Sequence, residues 1–428
     1  MQFSLHLKNI IMPQKRYLFY ISQNYSFAIL RPLQQAILAR GGEIAWFTEG
    51  KNVNLNYFTE SEMLLTTVYQ IEKFSPDAIL YPANTAPTFL PGINVAVFHG
   101  FDAGKLDKKG NNDHFKIRNC FDLYCTQGPN STKAFEYLQE NNNTFDVIET
   151  GWSALDRLFE PEGTFERPNN KQTILMCSTF SKKLTCAPEL FGTVKRLSEM
   201  GKWRWLIQFH PKMDREIIEQ YKSIQSENLT FIETDDVVPL LKQADVMLCD
   251  TSSVLIMFLL LNKPVVTFNN ISPNDYLIDI DKPELLEESI ELALSKPPIL
   301  MQNIQSFINE THPYQDSKSS ERVLDAIDTC IAHSDKRKKI SFDFFRQLKI
   351  RRKLNYWKFI NSKISKIIFN NPDLKNYRII ITGDHGYRAD EEINPYISFG
   401  AFYGFEKDDV DNIKTVQDLG SLIIHYSN

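Results

Sequence analysis

Six cysteines in 428 residues, with no C-x-x-C pair, leave this chain without a disulfide framework or a zinc pattern. The closest two, Cys120 and Cys125, flank a strand-like run, and such scattered thiols fit a reducing cytoplasm. No apolar run approaches the roughly 18 residues needed to cross a bilayer, and the best candidate, Val254 to Leu261, is far too short. Met1 to Met12 mixes charged and apolar residues without an h-region or cleavage site, so no signal peptide is expected. A net charge of -5 gives no footprint for nucleic acid. What is present is the composition of a soluble globular protein, 43% hydrophobic and 24% charged, and the length argues for two or three domains.

Strand-like and helix-like segments alternate twice. The first set of strands is Tyr17 to Ile21, Glu43 to Phe47, Ala78 to Tyr81, Asn94 to Phe98, Leu123 to Cys125 and Val147 to Thr150. Helices fit between them, for example Pro32 to Arg40 and Glu60 to Lys73. A polar, turn-rich stretch from Phe159 to Lys171 reads as a linker. The second set of strands is Thr173 to Cys177, Trp205 to Phe209, Thr230 to Glu233, Val246 to Cys249 and Val265 to Phe268. Its helices include 189–200, 215–226, 237–243 and 253–261. Such alternation predicts two α/β doubly wound, Rossmann-like domains facing across a cleft, with ligands beyond the carboxyl ends of the strands. The expected divisions are 1–160, 171–332, a basic amphipathic helical segment 333–370, and a small α/β appendage 371–428.

Chemistry concentrates at strand ends. Asp250-Thr251-Ser252-Ser253 lies between an apolar strand and an apolar helix, where unpaired first-turn N–H groups and the helix dipole favour an anion. The plainer reading of Ser252 or Ser253 is an N-cap. Ser178 and Thr179 end the strand that opens the second unit, beside that turn. His210-Pro211-Lys212 follows another strand; His210 and Lys212 could donate to phosphate oxygens, and Pro211 would set the start of the next helix. In the first unit His99-Gly100 follows a strand, and an imidazole there suits a general base. Lys105 and Lys109, just downstream, could steer an anionic acceptor or simply be solvated. Thr150-Gly151-Trp152 reads as a structural turn that needs glycine.

The run Asp250-Thr251-Ser252-Ser253-Val254, followed by Phe258 to Leu261 and Asn262-Lys263-Pro264-Val265-Val266, resembles the CDP-glycerol glycerophosphotransferase family. His99-Gly100, His210-Pro211 and the segment from Thr150-Gly151 to Asp156-Arg157-Leu158 extend the resemblance over roughly Ile93 to Phe268. It implies the GT-B fold and teichoic-acid-type polymer synthesis. His99 would be the base on an acceptor hydroxyl, and His210, Ser252 and Ser253 would hold the phosphates of a nucleotide donor. Asp250, Thr251, Ser178, Thr179 and Lys212 join the expected phosphate site, and Gly100 and Lys105 the acceptor side. The donor would be CDP-glycerol or another nucleotide-activated compound, the acceptor a polyol phosphate or glycan, with no cofactor required. Phe98 stands where the family often has tryptophan. Two alternatives share the sequence signals. One is a UDP-sugar glycosyltransferase or UDP-N-acetylglucosamine 2-epimerase of the same fold, for which Asp250 and Glu233 are the acids to name. The other is a degenerate scaffold in capsule assembly.

The C-terminal region carries two further expectations. Lys336 to Lys339 and Lys349 to Lys353, interleaved with aromatics, read either as a solvated helix packed on the domains or as a basic amphipathic helix on an anionic membrane. The second reading implies a cytoplasmic protein peripheral to the membrane through 336–366. Asp384-His385-Gly386 resembles the metal-ligand turn of the sulfatase and alkaline-phosphatase superfamily, but one Asp-His pair does not make a site, and no metal is expected.

Overall fold

The computed structural model describes residues 14–102, 110, 112–161, 171–234, 236–333 and 344–356, and two short strands at 379–380 and 402–403. The chain divides into two units, 1–356 and 357–428. The first unit contains two parallel sheets. One is built from β1 (Arg16–Ile21), β2 (Glu43–Thr48), β3 (Met63–Leu65), β4 (Ala78–Tyr81), β5 (Ile93–Ala96), β6 (Leu123–Thr126) and β7 (Asp146–Glu149), in the order β3-β2-β1-β4-β5-β6-β7. The other holds β8 (Thr173–Ser178), β9 (Arg204–Phe209), β10 (Leu229–Phe231), β11 (Val246–Cys249), β12 (Val265–Phe268) and β13 (Ile278–Ile280), in the order β10-β9-β8-β11-β12-β13. In each sheet the chain winds outward in both directions from a central pair, β1/β4 and β8/β11. A crevice opens at such a switch of direction, and ligands of doubly wound sheets bind there. In the second unit, 379–380 pairs antiparallel with 402–403; the expected appendage, with Asp384 and His385, otherwise lies outside the described residues.

Apolar residues on both faces bury the central strands β4, β8 and β11 completely, as parallel sheets require. Trp46 of β2 has no exposed surface and meets Phe19, Phe27 and Phe58 at ring distances of 4.8, 5.3 and 5.5 Å. Trp205 plays the same part in the second sheet. Burial of one such side chain stabilises by roughly 2–3 kcal/mol.

Three expectations are corrected. The helix expected over Glu60 to Lys73 is instead edge strand β3 followed by α2 (Val68–Phe74), because Thr67 and Gln70 form a capping box that starts the helix there. The helix expected from Pro32 begins six residues earlier, as α1 (Ser26–Ala39), with the proline inside it. Pro211 does not open a helix: Met213 N–H donates to the His210 carbonyl at 2.8 Å, and Asp214 caps α6 (Arg215–Ser223).

The first sheet's last strand ends at Glu149 and the second sheet's first strand starts at Thr173, within one compact unit. However, α10 (Pro298–Thr311) and α11 (Ser319–Ala332) pack on the first sheet's side, α10 against α3 (Pro129–Asn142) and α11 against α1 and β6. The buried Asp156 carboxylate accepts the N–H groups of Ser319 and Ser320, both at 2.8 Å, and so caps α11 from 163 residues upstream. Arg40 pairs with Asp325 and Glu321 on the same helix.

Of the basic segment, α12 (Phe344–Lys353) packs back on the first sheet's side. Gln347 is buried and accepts the Thr88 N–H, the Arg351 guanidinium lies 4.0 Å above the Phe89 ring, and Lys353 pairs with Glu49 at 2.7 Å. Tyr356 donates to Glu72. The rest of 333–370 lies almost wholly outside the described residues. No helix among the described residues is long and apolar enough to cross a membrane.

Candidate active site

On the first sheet, the ends of β1, β4 and β5 meet around His99. Phe98 precedes it with φ 56°, a left-handed conformation that a bulky residue rarely adopts and that costs about 1–3 kcal/mol. Packing holds it there: Phe98 is buried and stacks on His114 at 5.3 Å, and its carbonyl accepts from the Trp152 indole at 3.4 Å. The turn leaves the ring of His99 exposed. Its Nδ1 lies 3.1 Å from the carbonyl of Pro82, at the end of β4. A carbonyl can only accept, so Nδ1 carries the proton and neutral His99 presents a bare Nε2, the form a general base needs. Gln127, beyond β6, donates to the Gly100 carbonyl at 3.0 Å and fixes the following residue. Lys105 and Lys109 lie outside the described residues.

His114 sits behind this pair. Burial pushes its imidazole below the ordinary histidine range, with the nearby charge of Asp102 opposing and that of His99 adding to the effect. Further back, His312 is wholly buried and accepts the Trp152 N–H through Nε2 at 2.9 Å. Burial lowers its pKa to about 4. Gly151 has φ +76°, and a Cβ there would lie 2.5 Å from Ser319 Oγ and 3.0 Å from His312 Nε2. The structural reading of Thr150-Gly151-Trp152 therefore holds.

On the second sheet, Asp250 ends β11 fully buried. Its carboxylate accepts from the Ser178 hydroxyl at 2.5 Å and from the N–H groups of Thr179 and Cys186, each at 3.1 Å. Burial raises its pKa, and these hydrogen bonds oppose the rise. Cys186 N-caps α5 (Ala187–Glu199), so the protein's own carboxylate occupies that helix's anion-favouring end. Asp250, Ser178 and the Thr179 amide thus clamp β8 to β11. Thr251 accepts the Ile271 N–H at 3.1 Å and ties the turn to the next loop.

Ser252 and Ser253 differ from these. Ser253 stands at the N-cap of α8 (Val254–Leu259) but makes no capping bond, and neither serine hydroxyl has a partner among the described residues. The first-turn N–H groups expected to be free are partly spent: Leu255 donates to the Ser252 carbonyl at 3.2 Å and Ile256 to that of Ser253 at 3.3 Å. What this turn leaves open to a ligand is mainly the two hydroxyls.

The downstream motif has a structural cause. Asn262 stops the helix with φ 55°, which asparagine tolerates. Lys263 Nζ then donates to the carbonyls of Leu241, Lys242 and Ala244 at 3.0, 2.7 and 2.7 Å, closing the end of α7 (Val238–Gln243).

His210 is exposed at the end of β9. The Lys212 N–H donates to its Nδ1 at 3.1 Å, so neutral His210 carries its proton on Nε2. Partial burial and then the Lys212 charge hold its pKa below the ordinary value, which keeps it a neutral Nε2–H donor. The Phe180 ring lies 4.5 Å from the imidazole, and Lys212 Nζ lies 5.8 Å from that ring. The sequence reading missed Phe180 and Tyr25, exposed aromatics in loops that no periodicity marks. Among the described residues no cluster of His, Cys, Asp or Glu could hold a metal.

Residues 114–272 match the family described as CDP-Glycerol:Poly(glycerophosphate) glycerophosphotransferase. This segment is therefore similar to that family. It takes in His210 and the Asp250 to Ser253 turn, while His99 and Gly100 lie just before it. No curated protein matches the chain. Among solved structures, the wall teichoic acid polymerase TagF superposes with TM-score 0.53 at 15% identity, over 76% of this chain and 91% of that one. A Listeria monocytogenes protein described as a UDP-N-acetylglucosamine 2-epimerase superposes with TM-score 0.54 at 14% identity, over 77% of this chain and 100% of that one. S. aureus MnaA, solved with UDP, gives 0.52 at 17%, over the same shares. At these identities the likeness establishes the GT-B fold and leaves the chemistry to the site.

Proposed function

We propose that the chain transfers glycerol phosphate, or a related polyol phosphate, from a CDP-activated donor to a hydroxyl of a growing cell-surface glycan. The observation that carries this reading is the pair of exposed histidines with opposite hydrogen-bonding faces: His99 offers a lone pair and His210 offers a proton. His99 Nε2 takes the proton of the acceptor hydroxyl as its oxygen bonds to the donor's β-phosphorus. The bond from that phosphorus to the bridging oxygen breaks, and CMP leaves with the electron pair. His210 Nε2–H, Lys212, Ser252 and Ser253 donate to the phosphate oxygens, where charge redistributes in the transition state. Asp250, Ser178, Thr179 and Thr251 act through the shape of the turn that presents the serines. Gly100 and Lys105 belong to the acceptor side, and no cofactor enters the reaction. Contact of 336–366 with an anionic membrane surface would bring the enzyme to its polymer; Lys349 and Arg352 of α12 are exposed for it.

An epimerase is disfavoured by the two acids that reading named. Asp250 is consumed inside the fold, and Glu233 pairs with Lys222 at 3.1 Å on the surface. Thermal stabilisation by CDP-glycerol, CDP-ribitol, CMP, UDP-N-acetylglucosamine and UDP tests the proposal directly. Stabilisation by the CDP-polyols and CMP supports it; stabilisation by the UDP compounds alone overturns it in favour of a UDP-sugar enzyme. No shift with any nucleotide points instead to a scaffold.

A further inference from the structure

The end of β1 carries a residue that the function above leaves unused. Tyr25 occupies the N-cap position of α1, and its ring centroid lies 5.7 Å from that of His99, with the planes 34° apart. The β1–α1 loop that presents it is anchored: Asn24 accepts the Phe27 N–H through its carbonyl at 3.1 Å and the Asn54 N–H through its side chain at 2.8 Å. The Tyr25 backbone is helical at φ -58°, ψ -21°, so the ring stands on a fixed stem. In the sheet order, β4 lies between β1 and β5, and β4 leads into Pro82, whose carbonyl fixes the His99 tautomer. Tyr25 and His99 therefore flank the β1/β4 crevice from opposite sides. The Tyr25 side chain remains 45% exposed as a residue, and its hydroxyl has no partner among the described residues.

We propose that Tyr25 is a positioning residue for the acceptor: its ring braces the His99 imidazole, and its hydroxyl hydrogen-bonds to the polyol-phosphate chain beside the hydroxyl that His99 deprotonates. This rests on the transfer reaction proposed above. A tyrosine suits the role because its flat face packs on an imidazole while its polar tip stays wet. Partial burial raises the phenol's pKa, so it remains a neutral donor and acceptor over the working range. The donor-side groups lie at the ends of β9 and β11, on the other sheet, so the proposal separates acceptor effects from donor effects.

The test compares Tyr25→Phe and Tyr25→Ala with wild type, using CDP-glycerol and a short glycerol-phosphate oligomer as acceptor. Tyr25→Phe keeps the ring and should raise the acceptor KM about tenfold, the size of a lost hydrogen bond, with donor affinity unchanged within twofold. Tyr25→Ala should also lower kcat and move the His99 ring resonances in a histidine-labelled NMR titration. Acceptor KM values within twofold of wild type in both variants overturn the proposal, as does a loss confined to donor affinity. If Tyr25→Ala fails to fold, Tyr25→Phe decides alone. A folded wild type that transfers to no such acceptor removes the functional reading and this role with it; an active wild type with an unmoved acceptor KM removes the role only.

Discussion

Acid should unfold this protein partly through one histidine far from its surface. His312 has no exposed area, and its Nε2 accepts the Trp152 N–H, a bond that an imidazolium cannot make. Burial, more than any charge, sets its pKa to about 4; Arg322 lowers it further, and Asp316 opposes. An unfolded histidine titrates near 6.5. The folded value is the lower one, so the unfolded chain binds this proton more readily. The contribution of neutral His312 is fully present above about pH 6.5 and is lost progressively as pH falls towards 4. Integrating between those values gives a loss of about 2 kcal/mol at pH 5 and about 3 kcal/mol at pH 4. Buried Asp156 and Asp250 have raised pKa values and act in the opposite sense, gaining stability as pH falls. They are common to wild type and to His312→Gln, whose side-chain carbonyl could still accept from Trp152. Urea unfolding of both proteins at pH 7 and pH 5, followed by tryptophan fluorescence, isolates the histidine. Wild type should lose about 2 kcal/mol more than His312→Gln between the two pH values. Equal losses would refute the argument.

Other outcomes follow from the same geometry. His99→Ala should reduce turnover by about 10²–10⁴-fold, the range for a lost general base, with nucleotide affinity retained in calorimetry; near-wild-type rates would remove the base assignment. His210→Ala should instead weaken binding of CDP-glycerol, by about tenfold or more for one hydrogen bond to a charged group, and an unchanged donor Kd would count against it. Gly151→Ala should lose several kcal/mol of unfolding free energy, since the new methyl meets Ser319 and His312 in a left-handed backbone; a shift within 0.5 kcal/mol would show that the turn relaxes.

The alternation of two sheets was legible because central parallel strands need apolar residues on both faces, and β1, β4, β8 and β11 show them. The short strands β3 and β13 were not. Met63–Leu65 and Ile278–Ile280 offer three residues each, too few for any period to register. The two histidines could be read from their place after strands, but their protonated nitrogens could not, since those depend on Pro82 and on the Lys212 amide. Nothing in the sequence marks Phe98 as left-handed; glycine or asparagine would have. Asp250 illustrates a different limit. An acid in a turn beside serines looks like a ligand group until its carboxylate is found filled by Ser178, Thr179 and Cys186.

The cap that Asp156 places on α11 makes the chain a loop closed on itself. The first sheet is roofed by helices made after the whole second sheet has been synthesised. A ribosome therefore releases residues 14–161 long before their cover exists, and the apolar faces of α1 and β6 must wait for 319–332 to emerge. Cutting the gene at the linker would leave one half without its roof and the other with the surplus helices α10, α11 and α12.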